Sequence, residues 1–382
     1  MTQTPVLQPA PDRSAGRRVE PALIDADVHN SVPPGPAFGQ YLSQRWARYY
    51  DTVGVRTHGS RLYYVTLPRA RASRTDSWPD SGLPPGADLD FMRAQLLDRY
   101  PVATAVLNPI DMLRFAEEFD EYAAALTRGL NEWTRTEWLD NEPRFAASIC
   151  VAFDYAQAAA AEVHRVADDP RFVQVLMNVR TRDPLGNRRY WPLYEAAVEH
   201  NLPMAIHVGG MGGNAITGTG WPSYYFEDHT GFAHAFHHQV ISLVASGVFE
   251  EFPTLRFVLQ EGGFTWLPAM MWRMDMAFDL LHEEMAHLPE KPSHYLRRHF
   301  WFTTQPIEEP ERPEYFMQAV DRLGLRDRIL FSSDYPHWDF DDPTRAIPRE
   351  VPRDLRADIM FNNAAALYGF DRNEAIARVR RP

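Results

Sequence analysis

Short polar motifs that follow apolar segments are the residues of this sequence best suited to chemistry. Asp27 and His29 stand two positions apart at the end of the apolar segment that begins at Ala22. In an extended strand, both side chains point to the same side. A carboxylate and an imidazole placed in this way can chelate one cation, although such a pair alone is a weak signal.

Two further apolar segments end on the same types of ligand. His207 ends the segment 204–207, and Asp334 follows the segment 329–332. Alone, a histidine there is more often a hydrogen-bonding residue, and Ser-Asp-Tyr-Pro is typical of a turn. Together, two imidazoles and two carboxylates form a mixed nitrogen and oxygen set that suits Zn²⁺, Mn²⁺ or Fe²⁺. We expect one divalent ion at Asp27, His29, His207 and Asp334, with Zn²⁺ as the first choice.

These motifs need a scaffold that brings distant strand ends together. Short apolar runs predict eight strands, at residues 22–28, 102–107, 146–151, 172–177, 204–207, 256–259, 300–303 and 329–332. Helices are predicted between them, among others at residues 156–167, 190–200, 232–246 and 310–323. This alternation predicts a parallel sheet, and eight units predict a single (β/α)8 TIM barrel. Active sites of such barrels lie at the carboxyl ends of the strands, where the four expected ligands fall.

The predicted domain organisation is simple. The chain has 382 residues, and we see neither an internal repeat nor a second domain boundary in it. Residues 1–20 are rich in Pro, Arg and Ser and predict a disordered N-terminal arm, which leaves residues 21–382 for the barrel domain. Residues from about 30 to 100 predict a long insertion after strand 1, over the barrel mouth, with a hairpin near residues 62–67.

Composition excludes several classes of protein. The net charge of −12 argues against nucleic-acid and membrane-surface partners. No apolar run approaches the ~20 residues of a membrane span, and the polar first twenty residues lack a signal-peptide core. The single cysteine, Cys150, excludes an intrachain disulfide framework, so we expect a cytoplasmic protein. The single lysine, Lys291, falls in a predicted loop and argues against lysine-dependent chemistry.

Longer motifs point to a known family. They are IDADVH at 24–29, LPMAIH at 202–207, FPTLRFV at 252–258, EGGFTWLP at 261–268, ILFSSDYPH at 329–337 and NAAALYG at 363–369. With them the sequence resembles the amidohydrolase superfamily, and within it the amidohydrolase-related branch that contains aminocarboxymuconate-semialdehyde decarboxylase and the resorcylate-type decarboxylases. The resemblance covers about residues 23–370. It implies that the chain is a barrel enzyme, that the four residues named above bind its metal ion, and that the protein forms a homodimer.

The resemblance also implies a mononuclear site and a set of proton carriers. Binuclear relatives place a carboxylated lysine on strand 4, whereas this strand ends LMNVR at 176–180 and has no lysine. Asp334 is the expected proton carrier beside the metal. Many relatives have His-Gly-Gly on strand 6, where this chain has Glu261 before two glycines. Glu261 would carry a proton, orient a metal ligand or bond backbone at the mouth, and His337 would orient the site or simply pack.

Substrate-binding candidates come from the strand 4 and strand 5 loops. Arg180 could clamp a substrate carboxylate with its bidentate guanidinium, although a surface role is the default for any one arginine. Trp221 and Tyr225 could line an apolar pocket, together with His234. His234 and His238 stand four residues apart and could instead bind a second cation, but solvated or packed histidines are the preferred interpretation.

Three functions follow from these expectations. We expect first a metal-dependent enzyme that decarboxylates a small aromatic or unsaturated carboxylic acid without oxidation. The close alternative is hydrolysis of a lactone, an amide or a C–C bond by metal-activated water. The third is an inactive barrel that serves as a scaffold or binding protein, which retention of all four ligands disfavours.

Overall fold

The computed structural model describes residues 22–55, 72–210 and 218–379. Eight strands pair in parallel and in chain order. They are β1 (Leu23–Val28), β2 (Val102–Leu107), β3 (Phe145–Cys150), β4 (Phe172–Asn178), β5 (Met204–His207), β6 (Phe257–Gln260), β7 (Phe300–Thr303) and β8 (Ile329–Leu330). The amide of Ala26 donates to the carbonyl of Phe331, and Val28 pairs with Tyr335, so β1 meets the chain after β8. The predicted TIM barrel is confirmed.

The strands form where the apolar runs predict them, because every strand residue is buried. A chain segment that loses water on both sides needs apolar side chains on both faces and a neighbour for every backbone group. The clearest difference is β8, which ends two residues before the predicted end at Ser332. The amide of Phe331 bonds to the carbonyl of Ile359 instead of a neighbouring strand, which ends the ladder.

Helices surround the barrel and occupy the predicted intervals. They are α1 (Gln44–Thr52), α2 (Leu89–Met92), α3 (Met112–Phe115), α4 (Asp120–Trp133), α5 (Ala156–Val166), α6 (Trp191–Glu199), α7 (Tyr225–Thr230), α8 (Phe232–Ala245), α9 (Val248–Glu251), α10 (Leu267–Leu280), α11 (Pro292–His299), α12 (Pro313–Leu323), α13 (Arg353–Ala357), α14 (Asn363–Tyr368) and α15 (Arg372–Arg378). Shorter helical turns cover Pro36–Tyr41, Arg93–Leu97, Thr134–Leu139, Arg188–Tyr190 and Asp358–Asn362. Across the described part of the chain, no helix has the length and apolar character that a membrane span requires.

The chain between β1 and β2 returns to the mouth of the barrel. The amide of Ser31 donates to the carbonyl of Gly86, 2.9 Å away. Gly86 has a φ of 78°, and a Cβ there would lie 2.6 Å from the carbonyl oxygen of His29. This backbone therefore packs directly on the strand end that carries two of the expected ligands. The predicted arm at 1–20 and hairpin near 62–67 lie outside the described residues.

The two ends of the barrel differ in polarity. All eight strands begin on a buried apolar residue, namely Leu23, Val102, Phe145, Phe172, Met204, Phe257, Phe300 and Ile329. At the other end the strands finish on, or lead into, buried polar residues such as His29, Asn108, Asn178, His207 and Glu261. We call these two ends the floor and the mouth of the barrel.

Candidate metal centre

Four side chains meet at the mouth, as the sequence predicts. β1 supplies Asp27 and leads into His29, β5 ends on His207, and the chain after β8 supplies Asp334. Each offers one potential ligand atom, and these atoms lie within 4.8 Å of one another. None of the four residues is more than 3% exposed. The group is therefore compact and shielded from bulk water.

Both imidazoles are oriented by carbonyl groups. Nδ1 of His29 lies 2.7 Å from the carbonyl oxygen of Asn108, and Nδ1 of His207 lies 2.6 Å from that of Val208. A carbonyl can only accept, so each Nδ1 is protonated and donates. In the neutral imidazole this leaves the lone pair on Nε2, the nitrogen that would bind a metal ion.

The atoms that face one another inside the group suit a cation. Nε2 of His29 lies 2.8 Å from Oδ1 of Asp334, and Nε2 of His207 lies 3.3 Å from Oδ2 of Asp27. Among the described residues, neither Nε2 of His207 nor Oδ2 of Asp334 has a hydrogen-bond partner. Buried polar atoms without a partner are costly unless something else satisfies them. Four residues with inward lone pairs could bind one divalent metal ion.

Burial and charge act in opposite directions on the carboxylates of this group. Burial raises the pKa of Asp27, but the imidazoles of His207 and His29 outweigh that effect and leave the pKa below its ordinary value. Burial likewise raises the pKa of Asp334, and His337 and His29 reverse it. Both carboxylates are therefore ionised near neutral pH, the form that a cation requires.

Glu261 is the exception among these carboxylates. Burial raises its pKa well above the ordinary value, and the nearby charges of Asp334, Asp339 and Asp27 raise it further. Its Oε2 lies 3.5 Å from Nε2 of His207. Glu261 and Asp334 also have positive φ angles of 62° and 57°. Non-glycine residues seldom adopt this strained region, and those that do concentrate at functional sites.

Asn108 connects Asp27 and His29, and sequence analysis missed this residue. Its Nδ2 donates to Oδ1 of Asp27 at 2.7 Å, while its backbone carbonyl accepts from His29. A buried polar chain continues from Asn108 to Ser148, then to Gln174 and the hydroxyl of Tyr368. Asn108 directly follows β2, so its place at a strand end was the one available signal. Asn108 therefore holds Asp27 and His29 in fixed positions relative to each other.

His337 contacts the group from above. Its Nδ1 lies 2.6 Å from Oδ1 of Asp334, and its ring centroid lies 4.7 Å from that of His29. Burial lowers the pKa of His337, but the Asp334 carboxylate outweighs it and raises the pKa above the ordinary value. The pair can share a proton at the inner end of the cavity.

A cavity of about 980 Å³ opens above these residues. His29, His207, Glu261 and His337 face its inner end. Its walls include five aromatic side chains and two arginines, which are Tyr50, Trp78, Tyr225, Phe232, Trp338, Arg114 and Arg180. Such a mainly apolar wall with few polar groups is typical of a small-molecule site.

The expected substrate residues divide into two pairs. Arg180 and Tyr225 line the cavity. Trp221 and His234 are not part of the lining formed by the described residues. Trp221 is 39% exposed, and His234 is exposed with Nδ1 3.1 Å from the carbonyl oxygen of Gly231. Sequence analysis missed Trp78 and Trp338, because isolated aromatic residues in irregular segments carry no periodic signal.

A second group of potential ligands lies beside the first. It consists of His229, Glu261 and Asp339, whose ligand atoms lie within 4.8 Å of one another. Nε2 of His229 lies 2.9 Å from Oδ2 of Asp339. His229 belongs to α7 and Asp339 to the chain after β8, and the sequence does not link these two segments.

Comparison with known proteins gives a consistent result. A family model described as amidohydrolase matches residues 24–370. Gamma-resorcylate decarboxylase from Polaromonas sp. strain JS666 is 25% identical over 304 residues, which cover 75% of this chain and 89% of that protein.

Solved structures show the same fold. A 5-carboxyvanillate decarboxylase from Novosphingobium aromaticivorans, complexed with manganese and 4-hydroxy-3-methoxy-5-nitrobenzoic acid, aligns with a TM-score of 0.68 and 19% identity over 91% of this chain and 96% of its own. A dihydroxybenzoic acid decarboxylase from Polaromonas sp. JS666, with bound manganese and 2-nitroresorcinol, aligns with a TM-score of 0.65 and 20% identity over 93% of this chain and 98% of its own.

Proposed function

This chain is an enzyme that belongs to the amidohydrolase family, and from that premise we propose that it decarboxylates a small aromatic or unsaturated carboxylic acid without oxidation. One observation carries the proposal. Two imidazoles and two carboxylates form a buried group in which Nε2 of His207 and Oδ2 of Asp334 have no hydrogen-bond partner among the described residues. The group lies at the inner end of a cavity lined in part by aromatic side chains. The decarboxylases to which the chain is similar act on aromatic acids, which fits the walls of this cavity.

Asp27, His29, His207 and Asp334 would hold the metal ion. Bound there, a divalent cation supplies positive charge that fixes an anionic substrate and stabilises negative charge as CO₂ leaves. We propose Mn²⁺ for this role rather than the Zn²⁺ expected from the sequence, because two similar structures carry manganese. A mixed histidine and carboxylate set accepts either ion, so availability decides between them.

Asp334 and His337 would transfer the proton that replaces the carboxyl group. When the bond to the carboxyl carbon breaks, its electron pair stays on the ring or alkene carbon, which then takes up a proton as CO₂ departs. Oδ1 of Asp334 and Nδ1 of His337 share a 2.6 Å hydrogen bond at the inner end of the cavity. A proton from His337 would pass through the Asp334 carboxylate to that carbon, and His337 would regain one from solvent. One proton is consumed for each CO₂ released, so the step balances.

The remaining residues would place the substrate and strengthen the site. Arg180 and Tyr225 line the cavity and are proposed to contact the substrate, Arg180 through an anionic group. The aromatic rings of Trp78, Phe232 and Trp338 offer faces against which a planar ring can pack. Glu261 lies 3.5 Å from His207 and is proposed to orient that imidazole.

Substrate profiling tests this proposal. Chelator-stripped protein is reloaded with Mn²⁺ and offered hydroxylated benzoic acids and unsaturated diacids, with CO₂ release as the measurement. We expect release from at least one acid and none from Asp334→Asn at equal protein concentration. Cleavage of esters, lactones or amides without any CO₂ release would replace decarboxylation with the hydrolase alternative. No turnover and no bound metal would favour a scaffold.

A further inference from the structure

We propose that His229, Glu261 and Asp339 bind a second divalent cation, separate from the ion at Asp27, His29, His207 and Asp334. Their ligand atoms lie within 4.8 Å of one another and include one imidazole nitrogen and two carboxylate oxygens. This mixture matches the ligands that Mn²⁺ and Zn²⁺ take in proteins. The inference does not depend on which reaction the enzyme catalyses.

Glu261 brings to this group a buried carboxylate that has an oxygen without a hydrogen-bond partner in the described part of the chain. Glu261 is only 5% exposed, and its Oε2 has no hydrogen-bond partner within the described ranges. A buried carboxylate oxygen that lacks a donor needs a proton or a cation. In the same ranges, neither Glu261 nor Asp339 forms an ion pair with an arginine or lysine.

The number of carboxylates around the mouth matches the charge of two divalent ions. Asp27 and Asp334 belong to the first group, and Glu261 and Asp339 belong to the second. In the metal-bound state each of these carboxylates is deprotonated, so one divalent ion offsets two of the four negative charges and a second ion offsets the other two. The positive charge would then lie within bonding reach of both pairs.

His229 is held in place for such a role. Its ring centroid lies 5.0 Å from that of Phe232 and 5.5 Å from those of Tyr225 and Trp338. These three aromatic rings fix the imidazole while its Nε2 faces Asp339 at 2.9 Å. A cation between these two residues would take the place of the proton that they now share.

Ions can reach the group through the cavity. Glu261 and Asp339 both line it. Glu261 also lies 3.5 Å from His207, so its carboxylate stands between the two groups. The absence of a lysine on strand 4 does not bear on this site, because the proposed ligands come from α7, the end of β6 and the chain after β8.

Metal counting tests the inference. Full-length protein is stripped with a chelator and dialysed to equilibrium against Mn²⁺, and bound metal is measured by mass spectrometry. We expect two ions per wild-type chain and one per chain in Asp339→Asn and in His229→Gln. Asp334→Asn, which removes a ligand of the first group, should also retain one ion.

Asp342→Asn is the matched control, because Asp342 lies in the same segment but bonds to Thr344 and Arg345. It should still bind two ions, and circular dichroism shows that each variant is folded. One ion per wild-type chain would overturn the inference, and so would two ions in both Asp339→Asn and His229→Gln. Failure of decarboxylation would leave these counts unchanged, so the two proposals fail separately.

Discussion

The mouth and the floor of this barrel are built from the same strands but satisfy opposite requirements. At the floor, each strand begins on an apolar residue, and burial of these side chains stabilises the fold. At the mouth, the same strands lead into ionisable and amide side chains that are equally buried. Their burial costs free energy unless a partner compensates it. The difference teaches that stability and chemistry are placed at opposite ends, and variants at each end should separate them.

The largest effect is expected at the mouth, from Asp334→Asn. The amide cannot carry a proton and is a poor ligand for a cation, so kcat should fall by about 10⁴-fold. His207→Ala should abolish turnover as well. The measurement is CO₂ release by the Mn²⁺-loaded protein on the substrate that profiling identifies.

The fold should survive both changes, because the apolar packing of the floor does not involve these residues. Circular dichroism spectra close to that of the wild-type protein are therefore the control. Near-normal turnover in either variant would show that the four residues do not form the reaction centre. Unfolding of either variant would show that residues at the mouth also stabilise the fold. That result would contradict the separation of stability and chemistry between the two ends.

A smaller effect is expected from Asn108→Ala, which removes a support and leaves every ligand in place. The variant loses the 2.7 Å hydrogen bond to Asp27. Partners that orient metal ligands typically contribute 10- to 100-fold to affinity, and we expect a loss of Mn²⁺ affinity in that range. Isothermal titration with Mn²⁺ measures it.

Ser148→Ala is the matched control, because Ser148 is the next member of the same polar chain and does not touch a ligand. Its Mn²⁺ affinity should stay within a few-fold of the wild-type value. Equal losses in both variants would mean that the whole polar chain, and not Asn108 itself, sets the position of Asp27.

The contrast between the two ends also marks what the sequence could predict. All eight strands were located, because each is a short apolar run and burial on both faces demands such a run. The ligand candidates Asp27, His29 and His207 are predictable because each lies at the end of a strand. The position of a residue along a predicted strand determines at which end of the barrel it lies and to which side of the strand its side chain points.

Residues whose role depends on packing between distant segments were not predictable. His229 and Asp339 meet only because α7 and the chain after β8 come together above the mouth. Nothing in their local sequence pairs them. Trp78 lines the cavity from an irregular segment between β1 and β2. Such a segment has no periodic hydrophobic pattern from which the direction of a side chain could be predicted.

At the floor, His299 provides a pH-dependent test of stability. It ends α11, and its ring centroid lies 4.2 Å from that of Phe249. Burial lowers the pKa of His299 from 6.5 to about 4. Between these two pH values, His299 is protonated in the unfolded chain but neutral in the folded chain. The free energy of unfolding therefore falls as the pH drops from about 6.5 to about 4.

The unfolding free energies of the wild-type protein and His299→Gln measure this contribution. Allowing for partial screening by solvent, the advantage of the wild-type protein should shrink by about 2 kcal/mol between pH 7 and pH 4. Activity at pH 7 should not change. A pH-independent difference would show that His299 is not buried in neutral form, and lost activity would show that the floor influences the mouth.

The smallest effect is expected at neither end, from Lys291→Arg on the outer surface. Lys291 is 52% exposed, and its Nζ lies 2.7 Å from Oδ2 of Asp279. An exposed ion pair contributes little, and arginine preserves its charge. Melting temperature, metal content and turnover should all match those of the wild-type protein. A loss of bound metal would mean that the only lysine of the chain takes part in metal binding, contrary to a centre built from histidine and carboxylate ligands at the mouth.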